Sequence, residues 1–115
     1  MVEEIPTHDV KELVDAGEDV QVVDIRSPTQ FVDGHIPGAI NIPMAELPRR
    51  VQEYEWGDEI VVACPIGQSS IQAARLIESY EGVDSDATVA SMAGGYEEWD
   101  YELAAENEDE TATTH

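Results

Sequence analysis

The chemistry this 115-residue chain offers is concentrated in its one cysteine, Cys64. It heads the run Cys64-Pro65-Ile66-Gly67-Gln68-Ser69-Ser70. A thiol attacks as its thiolate, and the thiolate is favoured where unpaired N–H groups and a helix dipole place positive potential. A helical pattern begins at Ser70, so the loop carries the sulfur to such an end. A loop wrapped around the sulfur would make an anion-binding nest of its amides. Gly67 supplies the backbone freedom that wrapping needs. Pro65 has no N–H, which leaves the amides from Ile66 to Ser70 as donors. The hydroxyls of Ser69 and Ser70 can donate as well. Taken without its loop, the same residue is a small buried hydrophobe at a strand end. Both readings stand at this point.

A strand must deliver this cysteine and a helix must polarise it. Ile60–Ala63 is an unbroken apolar run that reads as a buried strand, and Ser70 to Tyr80 places Ile71, Ala74 and Ile77 on one helical side. Upstream, Thr7 is expected to cap a short helix ending near Ala16, with Gly17 just past it. Val20–Ile25 reads as a second buried strand. Ser27-Pro28 is a helix-start signal for a short helix reaching Val32. Ala39–Ile42 reads as a short strand, Met44 to about Tyr54 as a helix, Ala87–Ser91 as a weaker strand, and Gly95 to Leu103 as the last helix. This alternation predicts an α/β fold around a mostly parallel sheet. Ligand sites in such sheets lie beyond the carboxyl ends of the strands, where Cys64 falls. Residues 1–103 form one expected domain. Residues 104–115 contain no apolar residue larger than alanine and read as an acidic, disordered tail.

The composition narrows the function classes. Five Lys+Arg against 26 Asp+Glu give a formal charge of −21. Such a surface repels nucleic acid and anionic lipid. The acids are spread along the whole chain and Lys11 is its one lysine, a pattern expected of adaptation to high salt rather than of one acidic docking patch. A lone cysteine permits no internal disulfide, and no Cys/His cluster has zinc-site spacing. No signal-peptide pattern and no membrane-length apolar run are present. The expectation is a cytoplasmic monomer without metal or cofactor.

Three segments in order resemble the rhodanese-like (thiosulfate sulfurtransferase) family. The first is Val22-Val23-Asp24-Ile25-Arg26-Ser27-Pro28 with Phe31, then Gly34-His35-Ile36-Pro37-Gly38-Ala39-Ile40-Asn41-Ile42-Pro43. The second is the Cys64 loop. The third is Met92-Ala93-Gly94-Gly95-Tyr96 with Trp99. The resemblance covers about residues 3–103. It implies a three-layer fold with a central five-stranded, mostly parallel sheet flanked by helices. It also implies a ping-pong transfer in which Cys64 takes a sulfane sulfur from a donor and yields it to a thiol or cyanide acceptor. The supporting residues it implies are Asp24, Arg26, His35, Gly94 and Gly95. Asp24 and Arg26 are expected as a structural ion pair near the loop, and His35 as a satisfied structural histidine rather than a general base. Gly94 and Gly95 are expected to allow a tight turn packed beside the loop.

This chain departs from the family where cations usually bind thiosulfate. Pro65 follows the cysteine directly, and Ser69 stands where an Arg is common. Gln30 replaces a common Glu. The nearest downstream basic residue is Arg75 on the following helix. Poor use of thiosulfate is therefore expected. The alternative is a non-catalytic rhodanese-like binding module. A phosphatase or arsenate reductase needs a loop arginine for its oxyanion, and Ser69 and Ser70 stand there instead.

Overall fold

The computed structural model describes residues 2–17 and 19–105. Strands β1 (Glu3–Ile5), β2 (Val20–Asp24), β3 (Ile40–Asn41), β4 (Glu59–Ala63) and β5 (Thr88–Met92) form one sheet in the order β1-β5-β4-β2-β3. Every neighbouring pair is parallel. Helices α1 (Thr7–Asp15), α2 (Pro28–Asp33), α3 (Leu47–Arg50) and α4 (Ser69–Ser79) connect the strands.

Apolar clusters cover both faces of the sheet, which is why its central strands read as continuous apolar runs. Side chains alternate between the faces along each strand. Val23, Ile60, Val62 and Val89 join Leu47, Ala73, Ala74 and Ile77 on one face. Val22, Val61, Ala63 and Met92 join Val10, Ile36 and Trp99 on the other. Burying a side chain such as Ile77 fully contributes roughly 1.5–3 kcal/mol. Cys64 follows the parity of Ile60 and Val62 and so belongs to the face that α4 covers.

Several elements differ from the sequence expectation. Strand β1 carries no strand signal in the sequence, because two of its three residues are Glu. It exists through pairing with β5, in register Glu3↔Ala90 and Ile5↔Met92. Thr7 does not cap α1. Pro6 occupies that position, and the Thr7 hydroxyl donates to the Glu98 carbonyl at 3.3 Å. The helix expected from Met44 to Tyr54 is instead a 3-10 turn over Met44–Glu46, the short α3, and a 3-10 turn over Val51–Glu53. Pro48 lacks the N–H that would continue the first turn, so it sits in the first turn of a new helix beginning at Leu47.

The last helix is only a 3-10 turn over Gly95–Glu98. Trp99 becomes extended, and its indole N–H donates to the Glu102 carbonyl at 3.3 Å. The chain then returns to His35. Ala104, expected to begin the tail, pairs with His35 through bonds of 2.9 and 2.8 Å. Ordered backbone therefore runs past Leu103. The remainder of the expected tail from residue 106 lies outside the described residues.

Candidate active site

Strand β4 ends at Ala63, and Cys64 begins the loop that enters α4. The residue exposes 1% of its surface, yet the loop turns its donors onto the sulfur. The Gly67 N–H donates to Sγ at 3.0 Å and the Ser70 N–H at 3.3 Å. The Ser70 hydroxyl oxygen lies 3.3 Å from Sγ. Burial pushes the Cys64 thiol up, but hydrogen bonds from the Ser70 hydroxyl and from the Ser70, Gly67 and Ile66 amides outweigh it and bring the thiol below its ordinary value. The donors differ in detail from the expected set. The Ser69 side chain is exposed and does not bond the sulfur, and Gln68 is likewise exposed. Pro65, Ile66, Gln68 and Ser69 form the outer surface of the loop, with Ile66 51% exposed.

The glycines set this geometry. Gly67 has φ +87°, and a Cβ there would meet the Gly94 nitrogen at 2.7 Å. Gly95 has φ +61°, and a Cβ there would run into the Cys64 carbonyl oxygen and lie 2.7 Å from the Gly67 nitrogen. Only glycine tolerates both the left-handed backbone and the close approach. The Gly94-Gly95 turn thereby lies flush against the cysteine loop. The Tyr96 and Glu97 N–H groups donate to the Cys64 and Pro65 carbonyls at 2.9 and 3.0 Å.

A buried ion pair stands beside the loop. Asp24 is fully buried at the end of β2, opposite Ala63 in register. Its Oδ1 accepts from the Arg26 N–H and Nε at 2.9 and 3.0 Å, and its Oδ2 from Arg26 Nη2 at 2.8 Å. Arg26 Nη2 also donates to the Gly34 carbonyl at 2.6 Å. The guanidinium lies over the Tyr96 ring, 3.6 Å from its centroid. The Tyr96 hydroxyl donates to Asp24 Oδ2 at 2.9 Å and accepts from the Ile36 N–H at 3.0 Å. Burial and the Asp24 charge push the Tyr96 hydroxyl far above its ordinary value, so it stays a donor.

His35 is stacked on Phe31 with ring centroids 3.8 Å apart, and its Nδ1 lies 2.8 Å from the Phe31 carbonyl. A carbonyl only accepts, so Nδ1 carries the proton. His35 makes no bond to Cys64. Asn41 Nδ2 donates to the Asp24 and Arg26 carbonyls at 2.9 and 3.0 Å. Tyr96, which links the glycine turn to Asp24, and Ser91, at 2.6 Å from Ser70, are not among the site residues expected from the sequence. The signal for Ser91 was a polar residue inside the apolar run of β5. A separate 450 Å³ cavity lies at the opposite ends of the strands, between α1 and β1, β4 and β5. It contains no residue of the cysteine loop.

Together these features define a class: a parallel α/β domain that presents a cysteine in a donor-lined loop at the carboxyl end of a central strand. Residues 7–102 match the rhodanese-like domain family, and the chain belongs to it. It is 34% identical over 100 residues to a sulfurtransferase of Allochromatium vinosum, covering 86% of this chain and 89% of that protein. It is also 34% identical over 77 residues to YrkF of Bacillus subtilis, covering 67% of this chain but only 42% of that protein. Among solved structures, the human single-domain sulfurtransferase TSTD1 superposes with TM-score 0.69 and 26% identity, covering 86% of this chain and 96% of that one. Among the described residues, no helix is long and apolar enough to cross a membrane.

Proposed function

We propose that the protein is a sulfurtransferase in which Cys64 is the nucleophile and the carrier of the transferred sulfur. The observation that carries this is the donor set around Sγ, which favours thiolate in spite of burial. The Cys64 thiolate attacks the outer sulfur of a sulfane donor. A new S–S bond forms, and the donor leaves with the electron pair of its broken bond. The product is a Cys64 persulfide, whose terminal charge the same amides and hydroxyl stabilise. A thiolate or cyanide acceptor then takes the terminal sulfur and regenerates the thiolate. No second cysteine is present to convert the persulfide into an internal disulfide. That suits a carrier waiting for an external acceptor in a reducing compartment such as the cytoplasm.

The donor we assign is neutral or protein-bound. The loop has no cation, and Arg26, the basic side chain beside it, is locked onto Asp24 at 2.8 Å. The outer loop surface of Pro65, Ile66, Gln68 and Ser69 is uncharged. A donor reaches the buried sulfur only as these side chains move aside.

Mass spectrometry after incubation with a sulfane donor tests the assignment. Native protein is expected to gain one sulfur on Cys64 and lose it on addition of thiol, while Cys64→Ser gains none. Native protein that never gains sulfur from any of several donors would leave the binding-module reading in its place.

A further inference from the structure

Strand β5 is apolar at its carboxyl half except for Ser91, which is fully buried between Ala90 and Met92. Its hydroxyl lies 2.6 Å from Ser70 Oγ, which in turn lies 3.3 Å from Cys64 Sγ. The two serines come from different elements, β5 and α4, and meet behind the sulfur. We propose that Ser91 is a positioning residue of the cysteine site, holding the Ser70 hydroxyl as a donor to the Cys64 thiolate. The inference rests on the reading of Cys64 as the sulfur carrier.

A serine hydroxyl has one proton to give and lone pairs to accept with. While the sulfur is a thiol, its S–H donates to Ser70, and Ser70 donates to Ser91. Once the sulfur is ionised it can only accept. Ser70 must then turn its proton to Sγ, which leaves its oxygen in need of a donor. Ser91 fills that need by turning its own proton to Ser70. The chain of hydroxyls reverses as one unit, and each bond polarises the next in a low-dielectric interior.

Charged groups nearby do not duplicate this. From β2, Asp24 is committed to Arg26 and to the Tyr96 hydroxyl. Tyr96 itself comes from the Gly95–Glu98 turn packed on the loop, as do Glu97 and Glu98. The first turn of α4 has no acidic residue, and β5 over Thr88–Met92 carries no charge.

The test is the pH profile of Cys64 alkylation by iodoacetamide, read by intact mass on protein shown to be folded by circular dichroism. Ser91→Ala is expected to raise the midpoint and slow alkylation below it by about threefold or more. Ser91→Thr keeps the hydroxyl and should keep the native midpoint. The pair Ser91→Thr and Ser91→Val repeats the comparison at matched volume, which covers the case of an alanine variant that does not fold. Ser70→Ala, which removes the direct donor, is the positive control. An unmoved midpoint in folded Ser91→Ala or Ser91→Val, with a clear shift in Ser70→Ala, overturns the proposal and leaves Ser91 as packing. Persulfide formation by native protein is measured separately. Its failure removes the carrier reading without altering the midpoint, so the two failures are distinguishable.

Discussion

The backbone N–H of Tyr96 holds the carbonyl oxygen of Cys64 at 2.9 Å. The hydroxyl of the same tyrosine reaches across to Asp24, 72 residues earlier in the chain. One side chain thus joins the glycine turn, the cysteine loop and the buried ion pair. Disturbance of the ion pair is therefore expected to be felt at the sulfur.

Arg26→Ala leaves the buried Asp24 carboxylate without its guanidinium. Removing one partner of a buried pair costs about 3–5 kcal/mol, because the remaining charge stays desolvated. Urea unfolding followed by circular dichroism should show a loss in that range. Tyr96→Phe should cost less, about 1–3 kcal/mol, since it strands the Ile36 N–H and removes one bond to Asp24. A change under half a kcal/mol for Arg26→Ala would show that the pair is not the anchor described.

Gly95→Ala places a methyl against the Cys64 carbonyl, and at φ +61° it strains the backbone too. The loop must shift away from the sulfur. Persulfide formation should fall on the order of a hundredfold, the usual penalty for displacing a reacting group by about 1 Å. Far-ultraviolet circular dichroism should keep the native sheet signal. An unimpaired rate in this variant would mean that the close approach is not required.

Ser69→Arg adds a cation to the exposed face of an uncharged loop. A charge-assisted contact to an anionic donor should improve thiosulfate turnover by about tenfold or more. Steady-state assays with thiosulfate and cyanide, run beside a neutral polysulfide donor, separate binding from chemistry. A gain confined to thiosulfate is expected. No gain for thiosulfate would count against loop charge as the determinant of donor choice.

The lowered thiol of Cys64 makes stability depend on pH. The native state holds the thiolate better than the unfolded chain, whose thiol keeps its ordinary value of 9.0. The contribution is absent well below the native value, grows as pH rises through it, and is complete above 9.0. Raising the pH from neutral towards 9.0 should therefore stabilise native protein relative to Cys64→Ser. Paired urea titrations check this, and a flat or opposite difference would contradict the depressed thiol.

Adaptation to high salt follows as a proposal from a charge of −21. Screening shortens the reach of the self-repulsion to about 3 Å at 1 M salt. The melting temperature in molar potassium chloride should exceed that in dilute buffer by about 5 °C or more, the shift that roughly 1 kcal/mol produces in a domain of this size. Equal melting temperatures in the two media would remove the proposal.

What the sequence determined by itself was local. The apolar runs that became β2 and β4 announce buried strands because both their faces are covered. Ser27 announces the start of α2, because a cap is a contact between near neighbours, and its side chain does accept from the Gln30 N–H at 3.3 Å. The cysteine loop was legible for the same reason, since its amides and its sulfur lie within seven residues. Tertiary structure decided what distant segments do to one another. Strand β1 exists only because β5 offers it hydrogen bonds. Ser91 meets Ser70, and Tyr96 meets Asp24, only once the strands are in register. A hydrogen bond between residues far apart leaves no periodicity in the chain, because its geometry is set by packing rather than by spacing along the backbone.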